Sequence, residues 1–185
     1  MISTSNFKNG INILVDGEPY QIAWFQNHKP GKGGAVMRVK LKHLKKGSII
    51  ERTFKSGEKF EALTITRQKK QFLYKEGNNF NFMDMNTYEQ ITVQPELLGK
   101  MVNFLKENLE VETIYLEDEL IGIDLPVIIE MTIAEAEPGI KGDSVSNMTK
   151  TAKLETGADI HVPLFIKEGD KIKVDTRTGE YVERV

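Results

Sequence analysis

The chain has 185 residues, of which 39% are hydrophobic and 28% are charged, and its formal net charge is −2. This length allows a buried core in one domain or in several. The absence of cysteine excludes disulfides, thiolate metal sites and cysteine nucleophiles, and it fits a reducing cytoplasm. The sequence contains no apolar run typical of a signal peptide and no apolar stretch near the roughly 20 residues that cross a bilayer. We expect a soluble cytoplasmic protein with no membrane partner.

The small net charge conceals an uneven distribution of charge along the chain. Residues 1–64 carry 11 Lys and Arg against 5 Asp and Glu, a net charge of +6. Residues 65–126 carry 6 against 11, a net charge of −5, and residues 127–185 carry 8 against 11, a net charge of −3. Such asymmetry predicts separate domains with different partners, of which the basic first domain faces nucleic acid.

The first segment, residues 1–64, has the pattern of a small β-barrel. Asp16-Gly17 lies between two apolar runs and indicates a hairpin. Lys46-Gly47 is expected to join two further strands, residues 36–41 and residues 48–54. About five short strands in a segment of this size are typical of an SH3-like, or KOW-like, barrel.

A lysine among glycines separates two of these strands. Pro30 fixes one φ angle and the neighbouring glycines admit backbone conformations closed to other residues, so a hairpin tip that exposes Lys32 is predicted. A phosphate-binding P-loop is excluded, because it needs Ser or Thr after the lysine, where Gly33 stands, and a helix after that. No Asp or Glu lies between Pro19 and Ile50, which suits a polyphosphate partner. The candidate RNA-contacting residues are Lys29, Pro30, Gly31, Lys32, Gly33, Gly34, Arg38, Lys40, Lys42, Lys45 and Lys46.

The middle segment, residues 65–126, predicts an OB-fold. Its strands are expected at residues 71–75, 80–84, 88–93, 111–116 and 120–124. A helix is predicted between the third and fourth strands, since Leu97, Met101, Phe104 and Leu105 follow Pro95 at helical spacing. Five strands with one helix in that position are the OB order.

Four aromatic residues alternate along the first two strands of this middle segment. They are Phe72, Tyr74, Phe80 and Phe82. Such aromatics stack on bases in some OB-folds, but the net charge of −5 argues against RNA here, so we assign all four to the barrel core.

The last segment, residues 127–185, predicts a second, smaller OB-like barrel. Its strands are expected at residues 127–135, 152–154, 158–162, 171–175 and 180–184. A long polar loop, residues 138–150, separates the first two strands, and loops of this length are typically functional or disordered. Pro163-Leu164-Phe165-Ile166 is expected to form a short turn where an OB-fold has its helix.

Other constellations give no catalytic or metal site. His28 and His43 could touch phosphate, but lone histidines are more often ordinary surface residues, and we interpret them so. Three scattered histidines without cysteine do not indicate a metal site. No Ser/His/Asp arrangement or close carboxylate pair stands out, so neither an enzyme nor a cofactor is predicted.

Two motifs, near the two ends of the chain, carry a family resemblance. The first is Lys29-Pro30-Gly31-Lys32-Gly33-x-Ala35, followed by Arg38-x-Lys40-Leu41 and Thr53-Phe54. The second is Lys150-x-Ala152, Gly157, Ile160-x-Val162-Pro163, Ile166 and Gly169, flanked by Glu137-Pro138-Gly139-Ile140-Lys141-Gly142-Asp143 and Gly179-Glu180-Tyr181-Val182-x-Arg184. With these motifs the whole chain resembles bacterial translation elongation factor P.

The resemblance implies three consecutive barrels, residues 1–64, 65–126 and 127–185, with an L-shaped, tRNA-like outline. It implies a monomeric, non-enzymatic factor that binds the 70S ribosome, through its RNA and proteins, beside the peptidyl-tRNA and relieves stalling at consecutive prolines. The lysine matching Lys32 is post-translationally extended in many members, by a β-lysyl or an aminopentanol group, and the related factor of eukaryotes and archaea carries hypusine. A lysine-modifying enzyme is therefore an implied partner.

The resemblance also gives candidate RNA contacts in the last domain, namely Lys141, Ser144, Asn147, Lys150, Tyr181 and Arg184. Many members carry a Gly-Thr-Gly-Gly-like stretch in the long loop of that domain. This chain has Ser144-Val145-Ser146-Asn147-Met148-Thr149 instead, so the resemblance leaves open whether the loop contacts mRNA.

Two other functions remain compatible with the residues. One is a generic RNA-binding or RNA-chaperone protein that uses its barrel faces and is indifferent to the identity of Lys32. The other is an enzyme on an OB-fold scaffold, with Lys32 as a Schiff-base or transfer lysine. That enzyme needs a desolvated pocket around the lysine, and a glycine-flanked hairpin tip is a poor place to build one.

Overall fold

The computed structural model describes residues 1–29, 34–138 and 149–185, and these residues are mainly β-structured, as predicted. The strands before residue 65 are β1 (Ile2–Ser3), β2 (Asn12–Val15), β3 (Glu18–His28), β4 (Val36–His43), β5 (Ile49–Lys55) and β6 (Lys59–Phe60), with a 3₁₀ turn at Thr4–Asn6. The middle elements are β7 (Ile65–Glu76), β8 (Asn79–Asp84), β9 (Gln90–Val93), α1 (Pro95–Leu98), a 3₁₀ helix (Gly99–Phe104), β10 (Glu110–Leu116) and β11 (Glu119–Asp124). The last strands are β12 (Ile128–Ala136), β13 (Thr149–Leu154), β14 (Asp159–Pro163), β15 (Lys171–Asp175) and β16 (Glu180–Arg184).

Three larger sheets and one short pair account for the described strands. The first sheet has the strand order β2-β3-β4-β5, the second β11-β10-β7-β8-β9 and the third β14-β13-β12-β15-β16, while β1 pairs with β6. The packing divides the chain into two compact units, residues 1–67 with 114–122 and residues 68–113 with 123–185. The three-barrel division near residues 64 and 126 stays a prediction.

The first unit is built on hairpins whose turns the sequence predicts. Asp16 and Gly17 connect β2 to β3 with φ angles of 52° and 79°, and two positive φ angles are the geometry of a two-residue type I′ turn. In β4 the side chains alternate, with Met37, Val39 and Leu41 buried in the core. The polar residues between them therefore point outward.

A β-bulge interrupts the pairing of β3 with β4. Ile22 is the register partner of Leu41 and Trp24 is the register partner of Lys40, so Ala23 is an extra residue with no partner on β4. Because side chains alternate along a strand, this extra residue reverses the faces of the side chains that follow it. Ile22 is fully buried, whereas Trp24 is exposed.

The helix predicted through Phe104 and Leu105 is wrong in its length and type. The α-helix has one turn, Pro95–Leu98, and a 3₁₀ helix follows it. Gly99 has φ 53° and ψ −129°, a conformation that ends the α-helix at Leu98. The predicted strand at residues 88–93 likewise begins only at Gln90, because Tyr88 follows the turn at residues 85–87 with a φ angle of 62°, which is not a strand conformation.

The 3₁₀ helix contributes a core residue to the C-terminal sheet of the second unit. Phe104 is buried in the same cluster as Met131, Ile133 and Val174. The preceding residue, Asn103, also contacts the C-terminal part of this unit, since its carbonyl accepts a 2.6 Å hydrogen bond from the Thr156 hydroxyl. Residues on both sides of the predicted boundary near 126 therefore share one core within the second unit. A turn occupies residues 164–165, as predicted.

Candidate RNA-contacting surface

The structure describes only part of the predicted site. Pro30, Gly31, Lys32 and Gly33, together with Lys141, Ser144 and Asn147, lie outside the described residues. His28 of β3 and Val36 of β4 are the register partners nearest in sequence to residues 30–33. Lys29 and Gly34 are exposed, and a Cβ atom added at Gly34 would meet nothing within 4 Å, so space alone does not require a glycine there.

The cations of β4 form one row on the outward face of the first sheet. Arg38, Lys40 and Lys42 occupy alternate positions of the strand and all three are exposed. Alternate residues of a strand share a face and lie roughly 6.6–6.8 Å apart along it. We call the outward side chains of β3, β4 and β5 around this row the basic face.

Acidic residues from outside the acid-free stretch reach several of the predicted cations. Arg38 forms a 2.7 Å ion pair with Glu51 of β5, and Lys46 lies 3.5 Å from Glu18. Lys45 donates to both carboxylate oxygens of Glu119 at 2.8 Å. The acid-free stretch gives no sign of these partners, because none of them lies between Pro19 and Ile50. Lys40 and Lys42 have no ion pair within the described residues.

His43 is not the ordinary surface residue that we predicted. Its side chain is inward on β4 and only 2% of the residue is exposed. Its Nδ1 accepts backbone N–H hydrogen bonds from Lys45 at 3.1 Å and Lys46 at 3.2 Å, and its Nε2 lies 2.9 Å from Glu18. Hydrogen bonding to His43 and the charge of Lys46 lower the pKa of Glu18. His43 thus holds the turn that carries two candidate lysines.

Trp24 is a residue of the basic face that sequence analysis did not single out. It is 38% exposed, and the ammonium of Lys40 lies 5.7 Å from the centroid of its ring. This distance is within the range of a cation–π interaction. The sequence signal that would have found it is a large aromatic inside the basic segment.

The four aromatics of the middle segment do not all belong to the core. Phe72, Phe80 and Phe82 are buried, as predicted, but Tyr74 is 46% exposed. A second bulge explains the difference, because Phe72 pairs with Phe82 and Tyr74 pairs with Asn81, which leaves one extra residue in β7. Tyr74 therefore lines an open groove of about 730 Å³ instead of the core.

Three of the candidate contacts in the last segment are described. Lys150 is half-buried on β13, and Tyr181 is half-buried against the C-terminal core. Arg184 is exposed on β16, with its guanidinium 5.7 Å from the ring centroid of Phe165 and 4.0 Å from the carboxylate of Asp170. The structure does not bring these three side chains into one described cluster.

Three family models of elongation factor P match successive parts of the chain. The model of the KOW-like domain matches residues 3–60, the model of the OB domain matches residues 65–123, and the C-terminal model matches residues 129–184. The chain belongs to the elongation factor P family. The predicted resemblance is confirmed, and the fold is that of an elongation factor P, a KOW-like N-terminal domain followed by OB domains.

Whole-length relatives carry the same family name. A protein named elongation factor P from Endomicrobium trichonymphae is 92% identical over 184 residues and is covered, like this chain, at 100%. Another elongation factor P, from Natranaerobius thermophilus, is 49% identical over 185 residues, with 100% of this chain and 98% of the relative covered. These relatives support a translation elongation factor.

A solved structure shares the fold of this elongation factor P chain at low sequence identity. It is a translation initiation factor eIF-5A family protein from Naegleria fowleri, with a TM-score of 0.55 and 15% identity over 67% of this chain and 96% of that one.

Among the residues that the structure describes, no cluster of His, Asp and Glu could hold a metal ion, and no helix is long and apolar enough to span a membrane.

Proposed function

We propose that this elongation factor P binds the ribosome beside the peptidyl-tRNA and promotes peptide-bond formation at consecutive prolines. In this proposal Lys32, extended by a lysine-modifying enzyme, reaches toward the 3′ end of the tRNA. The observation that carries the proposal is the outward row Arg38, Lys40 and Lys42, on the strand that begins directly after the Lys32 segment. A cationic row on a rigid strand suits the phosphates of a bound RNA.

The other candidate residues take their parts from this proposal. Lys29, Lys45 and Lys46 add charge to the RNA-facing side, and Pro30, Gly31, Gly33 and Gly34 let RNA approach the backbone around Lys32. Lys141, Ser144, Asn147, Lys150, Tyr181 and Arg184 supply contacts of the last domain with RNA. The protein acts in the cytoplasm, as a monomer and without a cofactor, through three domains divided near residues 64 and 126.

The proposed activity needs no acid–base chemistry from the factor. A positively charged group packed against the tRNA end restricts unproductive arrangements of a slow proline acceptor or donor. Such orientation effects are worth up to about 7–11 kcal/mol in well-held intramolecular reactions. Lysine fits the role because its amine can be acylated or alkylated, while its charge attracts phosphate. The factor orients reactants on the ribosome and is not itself an enzyme.

The test replaces Lys32 with Ala or with Arg and measures synthesis of a proline-rich peptide in a reconstituted translation system. Lys32→Arg keeps the charge and approximately the length but removes the primary amine that a lysine-modifying enzyme needs. We expect both variants to bind ribosomes with affinities close to that of wild type. Neither variant should promote peptide synthesis at consecutive prolines. Intact-mass measurement of the native protein should show an addition on Lys32.

Two outcomes would reject parts of the proposal. A fully active Lys32→Arg protein, confirmed unmodified by its mass, would reject the modification and leave the tip an electrostatic role. If Lys32→Ala rescues proline runs like wild type and the protein binds single-stranded RNAs of any sequence equally, the generic RNA-chaperone function is the better description.

A further inference from the structure

Trp24 faces outward because of the bulge at Ala23. Without the extra residue, Trp24 would follow Ile22 into the core, since residues two apart share a face of a strand. Instead, Phe25 packs against the core of the first unit and Trp24 stands on the basic face. Bulges that re-aim a side chain are over-represented next to functional sites. The chain thus places its largest aromatic side chain on the outer face of a strand.

A row of cations on β4 lies beside this exposed indole. Lys40, its register partner on β4, lies over the ring, and Arg38 and Lys42 flank Lys40 on the same face. The carboxylate opposite Lys40 is that of Glu51, which is its register partner and the ion-pair partner of Arg38. Lys42 faces Ile49, an exposed apolar residue, so no carboxylate opposes it in its own row.

This combination matches the chemistry of an unpaired nucleotide. Aromatic side chains on a sheet or barrel surface stack on single-stranded bases, while neighbouring cations track the phosphates. A base-paired duplex offers phosphates but keeps its base faces covered by neighbouring pairs. An exposed Trp alone needs no explanation, but a re-aimed Trp within a row of cations suits a ligand with both an aromatic plane and negative charges.

We propose that Trp24 stacks on an unpaired base of the RNA that the first unit binds. In the free protein, Lys40 covers the ring by a cation–π contact. On binding, the base takes this position and Lys40 moves to an adjacent phosphate, with Lys42 on the next. The inference rests on the proposed function, which places RNA on this face, and it adds a base-stacking residue that contacts unpaired RNA.

The chain offers a direct readout, because Trp24 is the one tryptophan in its sequence. Intrinsic tryptophan fluorescence of the full-length protein therefore reports on this ring alone. The protein is titrated at low salt with a twelve-nucleotide single-stranded RNA and, separately, with an RNA duplex of the same length. Fluorescein-labelled versions of both probes report binding by anisotropy, whether or not the indole responds.

We expect both probes to bind and only the single strand to quench the tryptophan emission. Trp24→Leu should weaken single-strand binding roughly 5- to 150-fold, the range that corresponds to the loss of one stacked base. Trp24→Phe should retain most of that affinity. Ile49→Ala is the matched control, since it removes a more exposed apolar side chain, at 63% exposure, from the same face, and it should change affinity little.

The outcomes separate the two proposals. If anisotropy shows single-strand binding while the emission stays constant and Trp24→Leu binds like wild type, stacking is wrong although RNA still contacts the first unit. If neither probe binds, both stacking and the RNA-facing role of the basic face are wrong. Equal quenching by duplex and single strand would mean that Trp24 senses nearby phosphate charge, which also overturns stacking.

Discussion

At the C-terminal end of β4, Nε2 of the His43 imidazole lies 2.9 Å from Oε2 of the Glu18 carboxylate. The opposite ring nitrogen, Nδ1, accepts from the backbone N–H groups of Lys45 and Lys46, so Nε2 is the nitrogen that donates its N–H to Glu18. A buried ring with both nitrogens engaged fixes the backbone of the following turn. The two lysines are therefore presented by a rigid turn.

The first prediction tests His43 as the residue that positions this turn. His43→Leu leaves two backbone N–H groups without their acceptor, a loss of about 1–3 kcal/mol for each buried donor that water does not reach. His43→Asn keeps an acceptor that can bond the same amides, as in turns capped by Asn. We expect amide hydrogen exchange at Lys45 and Lys46 to accelerate strongly in the Leu variant and far less in the Asn variant. Equal acceleration in both would show that core volume, not the acceptor, holds the turn.

The second prediction separates the lysines of the basic segment by their partners. Lys40 and Lys42 are outward without an ion pair in the described residues, whereas Lys45 and Lys46 contact Glu119 and Glu18. The double variant Lys40→Gln/Lys42→Gln should lower the slope of log affinity against log salt by roughly 1 for each lost phosphate contact. The matched variant Lys45→Gln/Lys46→Gln should lower it less, since those charges are already compensated. Ribosome binding measured across salt concentrations provides both slopes, and a larger effect of the second variant would contradict the assignment.

The third prediction concerns acid stability of the second unit. Backbone N–H groups of Thr87 and Asn86, with the buried ammonium of Lys70, hold the pKa of Asp84 well below its usual range. Hydrogen bonds from Arg177 lower the pKa of Asp175 to about 2. Carboxyls with a depressed folded-state pKa stabilise the fold above their unfolded pKa of about 3.9, and this stabilisation is lost as the pH falls toward the folded pKa.

Thermal unfolding of Asp84→Asn, Asp175→Asn and the double variant measures this effect. The wild-type midpoint should fall steeply between about pH 5 and pH 2, and each Asn variant should lose less over that window although it starts lower at neutral pH. The double variant should be flattest. Parallel curves for wild type and the double variant would show that other groups dominate acid unfolding.

The sequence predicted local features of the fold well and features that depend on distant pairing badly. Alternation and turn residues are local, so the hairpin at Asp16-Gly17 and strands β15 and β16 were predicted to the residue or nearly so. The outward positions of Trp24 and Tyr74 depend on bulges, and a bulge exists only relative to the partner strand. The backbone conformation of Gly99 ends the α-helix at Leu98, and the spacing of apolar residues in the sequence does not reveal that conformation.

The same limit applies to the candidate site. The cationic residues of β4 follow from sequence, because alternation fixes which of them share a face. Their carboxylate partners do not, since Lys45 and Glu119 are 74 positions apart. Alternation places His43 on the inner face of β4 with Leu41, but its hydrogen-bond partners, Glu18 and the amides of the following turn, required the structure.

The first unit is made of two segments that are far apart in sequence, so the ribosome completes it in two stages. This unit includes residues 114–122, where the backbone N–H of Glu117 donates to the Thr64 carbonyl at 2.9 Å and the Glu117 side chain accepts the Thr64 N–H at 2.7 Å. A nascent chain that ends at residue 67 lacks all of these contacts. At elongation rates of roughly 5–20 residues per second, the missing hairpin is made several seconds after the rest of the unit. The backbone groups of Thr64 therefore lack their Glu117 partners until most of the middle segment has been translated.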